Sequence, residues 1–299
     1  MAAQNILPHI KGKTCIIVAG PTAVGKTAFA IKIARHYNTQ IISADSRQCF
    51  KELDIGVAKP SPEELAAVPH HFISSHSVQE EMNASLFESY ALQKASGIFK
   101  SNDVVVMAGG TGLYIKAFTE GMDEVPVVDP ATRDTIISQY EEKGMVWLQQ
   151  QVAEHDPFYF AKGEIQNPQR LMRALEVIQG TGRSILSFQK QQKKQRDFSI
   201  IKFGLELPRE VLYQHVNQRV EVMMKNGLLD EVKSLLPFKN LNALQTVGYR
   251  ELFDYLGGKT DLARAVELIR QNTRHYAKRQ LTWFKKDPEW QWVTPHHPL

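Results

Sequence analysis

The chain has 299 residues, of which 43% are hydrophobic and 23% are charged, and its formal net charge is +4. This length allows a sizeable core, and we expect one main domain with an insertion. No apolar run approaches the roughly 20 residues that span a bilayer, and the N-terminal segment lacks the apolar stretch of a secretory signal. The two cysteines fit neither a disulfide framework nor a metal-binding spacing. We therefore expect a cytoplasmic protein without membrane contact.

The first motif in the chain is a phosphate-binding loop. Residues 15–19 form an apolar run with the length of a buried strand. The segment GPTAVGKT follows and fits the pattern G-x-x-x-x-G-K-[ST], and helical apolar spacing comes next, at Ala28, Ile31, Ile33 and Ala34. A strand, a glycine-rich loop and a helix in this order are the context that a true phosphate loop requires. The loop residues are Gly20, Pro21, Thr22, Ala23, Val24, Gly25, Lys26 and Thr27.

Each part of this loop favours an anionic ligand. The glycines allow backbone N–H groups to face a phosphate, and the N-terminus of the helix adds a partial positive charge. Lys26 supplies a full positive charge, and the hydroxyl of Thr27 can bind Mg²⁺. The sequence therefore predicts a site for a diphosphate or triphosphate, with Mg²⁺ as its metal.

A second strand ends in an acid. Residues 40–45 are mostly apolar and finish at Asp45. Ligands of open α/β sheets bind at the carboxyl ends of the strands, so we expect Asp45 to face the same crevice as Lys26. The polar, irregular segment 46–60 stops at a proline and is typical of a loop that faces substrate.

A third apolar strand, at residues 103–107, runs into the sequence GGTG. In an ATPase this strand normally ends in an acid that organises the metal and the attacking water. The absence of that acid weakens the interpretation of the chain as an ATPase. Small residues at the end of a strand permit a ligand to approach closely, and Thr111 offers a hydroxyl group there.

The alternation of strands and helices stops near residue 120 and resumes at 198. Between these points, prolines separate helical patterns at about 131–142, 145–154 and 169–180. We predict an α/β fold with a phosphate-loop (P-loop NTPase-like) parallel sheet flanked by helices, a helical insertion domain and a helical C-terminal part. The predicted domains are 1–119 for the first part of the core, 120–197 for the insertion, and 198–299 for the return strand and the C-terminal helices.

Cations outside the loop suggest further contacts with phosphate. Arg219 lies at the edge of an apolar helical stripe, where it must either pair with an internal carboxylate or reach a bound phosphate. In the last long helix, Arg270, Arg274 and Lys278 recur every four residues. This spacing predicts either a surface for a polyanion or a charged face exposed to solvent.

The loop alone leaves several functional classes open. A small-molecule kinase would use it for ATP. A switch GTPase would need an Asn-Lys-x-Asp base-recognition motif, which the sequence lacks. A third class uses a diphosphate as the leaving group, and the same cations then stabilise the departing diphosphate while a carboxylate removes a proton from the nucleophile.

The motifs taken together resemble the tRNA dimethylallyltransferase family, also called tRNA isopentenyltransferases, over essentially the whole chain. The stretches that carry the resemblance are GPTAVGKT at 20–27, SADSRQ at 43–48, DIGVAKP at 54–60, GGTGLY at 109–114, NPQRLMRALE at 167–176, VGYRE at 247–251 and AKRQLTW at 277–283. Family members commonly have Val-Tyr at Cys49-Phe50 and Thr at Val57, so we expect differences in loop detail or substrate preference at these positions.

The resemblance implies a reaction and a set of catalytic residues. The dimethylallyl group would move from dimethylallyl diphosphate to the exocyclic N6 amine of the adenosine 3′-adjacent to the anticodon of tRNA. Asp45 would be the general base, and Thr111 would contact the diphosphate and the target base. Lys26, Thr27 and Arg219 would hold the diphosphate with Mg²⁺. The catalytic set is thus Asp45, Thr111 and Arg219.

The resemblance also implies contacts with the anticodon loop of tRNA from two parts of the chain. The expected tRNA-binding residues are Asp45, Ser46, Arg47, Gln48, Thr111, Arg133, Gln169, Arg170, Leu171, Met172 and Arg173. A monomer is the expected state. The alternatives are a P-loop small-molecule kinase that uses ATP and a non-catalytic tRNA-binding protein with a vestigial loop.

Overall fold

The computed structural model describes residues 7, 9–189 and 192–297. The chain divides into two compact units, which are described separately below. The larger unit combines the chain up to Glu120 with the part from Gln195 onward, and the smaller unit is Gly121–Lys194. Across the described residues, no helix is long and apolar enough to cross a membrane.

A parallel β-sheet forms the centre of the larger unit. Its strands are β1 Thr14–Ala19, β2 Ile41–Ser43, β3 His70–His71, β4 Val104–Gly109, β5 Ser199–Leu205 and β6 Gln291–Val293. The strand order is β3-β2-β4-β1-β5-β6, and every neighbouring pair is parallel. The predicted fold class, a parallel α/β sheet flanked by helices, is confirmed.

The helices follow the strands in the order that a parallel sheet requires, because each crossover needs a connecting segment. In chain order they are α1 Lys26–His36, α2 Pro62–Ala67, α3 Ala84–Ile98, α4 Gly112–Glu120, α5 Pro130–His155, α6 Pro157–Lys162, α7 Pro168–Thr181, α8 Arg209–Lys225, α9 Leu228–Ser234, α10 Tyr249–Leu256 and α11 Leu262–Phe284. Helices α5 to α7 belong to the smaller unit.

Helix α1 differs in one respect from its predicted apolar face. Ala28 was expected on the buried side, but it is exposed. Phe29 is buried instead, and its ring packs edge-to-face against Phe203 of β5 with centroids 6.4 Å apart. The helix begins at Lys26, and in its first turn the side chain of Ala28 faces solvent while that of Phe29 faces the sheet. Burial of this ring fixes α1, and thereby the end of the phosphate loop, on the sheet.

The smaller unit has its own helical core. Helix α5 is interrupted at Gly144, where φ is 75° and ψ is −167°, so the chain folds as two helical segments at this point. Helices α5, α6 and α7 each begin with a side-chain cap followed by proline, a combination that favours helix initiation. The core residues are Ile136, Leu148, Val152, Tyr159, Leu171, Met172, Ala174 and Leu175.

The backbone is tightly packed at the end of β4. A Cβ atom added at Gly109 would lie 2.2 Å from the backbone oxygen of Ala44. We expect Gly109→Ala to lower the free energy of unfolding by roughly 1–3 kcal/mol, because the backbone beyond β2 has to move. Urea denaturation followed by circular dichroism measures this loss.

Gly97 is the matched control, since it lies inside α3 with no neighbouring atom within 4 Å of an added Cβ. We expect Gly97→Ala to stabilise the protein by roughly 0.5–1 kcal/mol, because alanine is the better helix former. Equal effects of the two substitutions would contradict the tight packing at Gly109.

Candidate active site

The phosphate loop connects the buried strand β1 to helix α1, and two of its glycines are required by geometry. Gly20 has a φ of 152°, and a Cβ atom there would lie 2.7 Å from the backbone oxygen of Leu205. Gly25 precedes α1 in the left-handed conformation with a φ of 99°. Both positions disfavour any other residue, so the loop geometry depends directly on the sequence motif.

Lys26 turns back over the loop. Its Nζ atom donates a hydrogen bond of 2.8 Å to the backbone oxygen of Pro21. Burial, together with the positive charge of the nearby Arg219, lowers the pKa of Lys26 to about 7, and the charge of Asp45 opposes this shift. Two cations and one carboxylate therefore lie close enough to influence each other, as the sequence predicted for Lys26 and Asp45.

A residue that sequence analysis did not single out connects this loop to β4. Gln280 of α11 accepts a hydrogen bond from the backbone N–H of Thr22 at 2.8 Å, and its Nε2 atom donates to the backbone oxygen of Gly110 at 2.9 Å. Its side chain is buried, and a Cβ atom at Gly110 would lie 2.2 Å from Nε2. In the sequence, the only indication of this role is that Gln280 is an amide on the apolar face of α11.

Asp45 follows β2 at the same edge of the sheet. Its Oδ1 atom accepts hydrogen bonds from the backbone N–H groups of Arg47, at 2.8 Å, and Gln48, at 3.3 Å. These bonds hold the carboxylate in a fixed orientation. Within the described part of the chain, Oδ2 makes no hydrogen bond, so it can accept a proton from a ligand.

Thr111 lies beside Asp45 because β2 and β4 are neighbouring strands. Its hydroxyl oxygen accepts a hydrogen bond from the backbone N–H of Ser46 at 3.0 Å, and its own N–H donates to Ala44 at 3.1 Å. The hydroxyl of Tyr276 is also hydrogen-bonded to Thr111. Burial, followed by the charge of Asp45, raises the pKa of Tyr276, so this phenol stays neutral in the site.

Arg219 extends from α8 toward the phosphate loop. Its Nη1 atom donates a hydrogen bond of 3.3 Å to the hydroxyl of Thr22. Burial lowers the pKa of Arg219, while Glu64 and Asp45 oppose that shift. Among the residues that the structure describes, Arg219 forms no ion pair with a carboxylate, so the first of its two predicted alternatives is not observed.

A cavity of about 660 Å³ within the larger unit is lined by several of these groups. Polar groups line part of its wall, among them Thr22, Asp45, Ser46, Arg47, Arg219 and Tyr276. Apolar side chains line another part, among them Val57, Val220, Met223, Val247, Leu268 and Ile269. The cavity can thus hold a ligand with both an anionic group and a hydrocarbon group.

The segment after Asp45 is more strongly bonded within the protein than expected for a tRNA-contacting loop. The side chain of Gln48 donates to the backbone oxygens of Val57 and Ala58, at 3.2 and 2.9 Å. Arg47 approaches Asn242 at 3.4 Å, and burial lowers its pKa. Gln48 therefore supports the cavity wall, whereas Arg47 lines the cavity itself.

Two of the residues predicted to contact tRNA in the smaller unit have buried side chains. Leu171 and Met172 are 0% and 5% exposed and belong to the core of this unit. Both residues lie on the apolar side of α7. Gln169 and Arg170, in the first turn of α7, are exposed.

The other two predicted contacts in this unit share one acid. The Nη1 atoms of Arg133 and Arg173 lie 2.9 and 2.5 Å from the carboxylate of Glu176. Both arginine side chains are partly exposed, whereas that of Glu176 is only 6% exposed. Since one buried carboxylate holds two guanidinium groups, the cluster carries a net positive charge at the surface.

Two of the three cations that recur along α11 are paired with acids. Arg270 pairs with Glu221 and Glu267, at 3.2 and 3.4 Å. Arg274 pairs with Glu267 at 3.3 Å and donates to Asn217 at 3.0 Å. Glu221 and Asn217 come from α8, which sequence spacing along α11 alone does not reveal. Lys278 remains exposed.

The positions that depart from the family pattern have different environments. Phe50 is 3% exposed, so its side chain packs in the interior. Cys49 is buried beside it, and burial raises the pKa of its thiol to about 12. Val57, in contrast, lines the cavity, so this departure changes the wall that a ligand contacts.

Comparison with known proteins identifies the family. The family model described as IPP transferase matches residues 48–287. The tRNA dimethylallyltransferase of Christiangramia forsetii is 50% identical over 93% of this chain and 92% of its own length. The corresponding protein of Cytophaga hutchinsonii is 45% identical over 95% and 93%. The chain belongs to the tRNA dimethylallyltransferase family.

Solved structures of the tRNA dimethylallyltransferase family agree with the fold. The tRNA isopentenylpyrophosphate transferase of Bacillus halodurans has a TM-score of 0.69 and 34% identity, covering 95% of this chain and 90% of its own. A eukaryotic dimethylallyltransferase acting on tRNA has a TM-score of 0.75 and 26% identity, covering 91% and 70%. The chain is thus a member of a transferase family, and the small-molecule kinase alternative is not supported.

The lowered pKa of Lys26 can be measured directly. In a ¹³Cε-lysine NMR titration we expect one lysine with a midpoint at about 7, whereas ordinary lysines titrate near ~10.4. Lys26 is then mostly protonated below this midpoint and mostly neutral above it. Arg219→Gln should raise the midpoint, since it removes the repulsive neighbouring charge.

Lys26→Arg identifies the resonance, because the shifted lysine signal must disappear in that variant. Arg35→Gln is the matched control for charge removal, since Arg35 is exposed in the last turn of α1, far along the helix from Lys26. A spectrum in which every lysine titrates above about 9 would show that Lys26 is not buried beside Arg219.

Proposed function

We propose that this protein transfers the dimethylallyl group from dimethylallyl diphosphate to the N6 amine of the adenosine 3′-adjacent to the anticodon in tRNA. Membership of the tRNA dimethylallyltransferase family supports the reaction class. The observation that carries the proposal is that Asp45, with one carboxylate oxygen available, lines the same cavity as Arg219 and Thr22 of the phosphate loop.

The donor diphosphate binds at the phosphate loop in this proposal. Lys26, Thr27 and Arg219 hold its oxygens, together with backbone N–H groups at the start of α1. As the bond between the allylic carbon and oxygen breaks, negative charge develops on the diphosphate and positive character on the carbon. The two buried cations stabilise the departing diphosphate because they act in a site with little water.

The acceptor amine requires a general base. The lone pair of the adenine N6 atom is delocalised into the ring, so the amine is a weak nucleophile. As its nitrogen bonds to the allylic carbon, Oδ2 of Asp45 takes the proton, and Thr111 contacts the reacting groups. The base must leave its stack to reach the cavity, which favours an unpaired loop as substrate.

The donor set of the loop fits Mg²⁺. This ion prefers oxygen ligands and usually keeps several waters, with much of its coordination supplied by the phosphates of the substrate. The hydroxyl of Thr27 is such a ligand. The described residues contain no group of three acids, histidines or cysteines that could hold a metal by themselves. Bound Mg²⁺ would neutralise diphosphate charge, while Lys26 and Arg219 orient the diphosphate.

The tRNA-binding surface of the proposal includes both units of the chain. In the larger unit, Asp45, Ser46 and Arg47 line the cavity, and Gln48 and Thr111 are hydrogen-bonded to Asp45 and Ser46. In the smaller unit, Gln169 and Arg170 offer exposed donors, and Arg133 and Arg173 add positive charge suited to phosphates. The protein would act as a cytoplasmic monomer, because one chain contains the loop, the base and these cations.

Label transfer tests the reaction. With unmodified tRNA, Mg²⁺ and dimethylallyl diphosphate labelled in the allyl group, we expect label to move to the adenosine beside the anticodon. Asp45→Asn should lower the single-turnover rate by roughly 10²–10⁴-fold, because the amide cannot accept the proton. Its affinity for tRNA, measured by filter binding, should remain nearly unchanged.

Asp103→Asn serves as the control, since Asp103 is exposed and precedes β4 at the opposite edge of the sheet. Its rate should equal that of the unaltered protein. An unchanged rate in Asp45→Asn would remove this carboxylate as the base. Retention of tRNA without transfer of label by the unaltered protein would instead support the non-catalytic binding alternative.

The exposed cation of α7 gives a prediction for tRNA affinity. We expect Arg170→Ala to weaken tRNA binding and to reduce the slope of log affinity against log salt by about one, because one phosphate contact is lost. Fluorescence anisotropy at several salt concentrations measures both quantities. Lys32→Ala, which removes an exposed cation from α1 of the larger unit, should leave the slope unchanged. Equal slopes in both variants would show that Arg170 only faces solvent.

A further inference from the structure

One carboxylate in the larger unit accepts four hydrogen bonds from a loop of the cavity wall and its neighbour. Oε2 of Glu231, from α9, accepts from the backbone N–H groups of Asp54 and Ile55, at 3.2 and 2.7 Å. Oε1 accepts from the N–H of Gly56 at 3.1 Å and from the hydroxyl of Tyr249 at 2.5 Å. Each carboxylate oxygen thus accepts two hydrogen bonds.

Tyr249 supports the same loop from behind. Its side chain is 0% exposed, and its ring packs so close to Gly56 that an added Cβ atom there would lie 2.5 Å from it. The ring therefore limits how far the loop can move in that direction. Glu231 and Tyr249 together form a clamp, which holds the backbone of residues 54–56 by charge-assisted hydrogen bonds and by contact.

The opposite side of the loop is connected to the proposed base. Gln48 donates its amide to the backbone oxygens of Val57 and Ala58, and its own N–H donates to Asp45. Ala58 has a φ of 49°, a conformation that a non-glycine residue adopts only when its surroundings require it. The loop is therefore held on both sides rather than resting on the surface.

This loop forms part of the cavity wall. Gly56, Val57 and Ala58 line the cavity, as do Val220 and Met223 of α8. Val220 and Met223 follow Arg219 on α8, the arginine that contacts the phosphate loop. A hydrocarbon chain attached to a diphosphate held by Arg219 therefore meets apolar side chains of α8 and the loop at residues 56–58. The position of this loop therefore sets part of the wall that such a chain contacts.

We propose that Glu231 and Tyr249 are positioning residues that set the length of allylic chain that the cavity accepts. The proposal deepens the proposed function, on which it rests, and concerns the donor only. Neither residue contacts the donor. They fix residues 54–56 of the loop, and the loop restricts the cavity to a short, five-carbon chain.

Donor binding measured by calorimetry tests the clamp without tRNA. The unaltered protein should bind dimethylallyl diphosphate more tightly than the ten-carbon geranyl diphosphate. In Glu231→Gln the amide offers fewer acceptor sites to the same four donors and places its NH₂ group against two of them. We expect the ratio of the two affinities to fall by roughly tenfold, because the loop can retreat from the longer chain.

Tyr249→Phe is the milder second variant, since it keeps the ring and loses only the hydrogen bond to Glu231. Its affinity ratio should fall in the same direction by a smaller factor. Asp230→Asn is the matched control, because Asp230 precedes Glu231 on α9, carries the same charge, and has an 80% exposed side chain paired with Lys233. Its affinity ratio should remain that of the unaltered protein.

Hydrogen exchange gives a readout that does not depend on ligand. In Glu231→Gln the backbone amides of Asp54, Ile55 and Gly56 should exchange faster, while the amides of β1 stay protected. An unchanged affinity ratio in both clamp variants, or equal losses for both donors, would overturn the proposal. Binding selectivity is independent of transfer, so a failure of label transfer to tRNA would contradict the proposed function and leave this test intact.

Discussion

Parallel pairing of three strands is the constraint on which the rest of the site depends. Strand β1 pairs with β4, and β4 pairs with β2, so the carboxyl ends of all three strands meet at one edge of the sheet. The phosphate loop follows β1, Asp45 follows β2 and Thr111 follows β4. These three segments, far apart in sequence, therefore meet at one edge of the sheet, and Gln280 fixes the spacing between two of them through its amide.

The site places the positive charges of Lys26 and Arg219 close together, and this lowers the pKa of the lysine. Burial and the neighbouring Arg219 lower the pKa of Lys26 to about 7, so the protonated and neutral forms are about equally populated at neutral pH. An anionic ligand reverses this balance because it supplies the missing counter-charge. The loop is thus better suited to a bound diphosphate than to the empty state, and the low polarity that destabilises the two cations also strengthens their attraction for phosphate.

Burial and cross-element pairing explain where the environments of side chains differ from what local sequence patterns suggest. Spacing along α11 predicted three exposed cations, yet acids and an amide on other turns and on α8 bind Arg270 and Arg274. The motif that includes Leu171 and Met172 predicted contact with tRNA for every member, but an amphipathic helix must bury one side, and these two residues are on it. Glu231 gave no signal at all, since a surface helix with acids is ordinary and its four donors come from residues 54–56 and 249.

The sequence by itself determined the fold class, the phosphate loop and the family. These follow from local periodicity, from glycines that the loop geometry requires, and from motifs whose order along the chain is distinctive. Only the tertiary structure decided which cations are available to a ligand, which loop residues face the cavity, and what holds that loop in place. The physical reason is that charge neutralisation, burial and hydrogen bonding depend on neighbours from distant elements, and their partners are known only after the chain has folded.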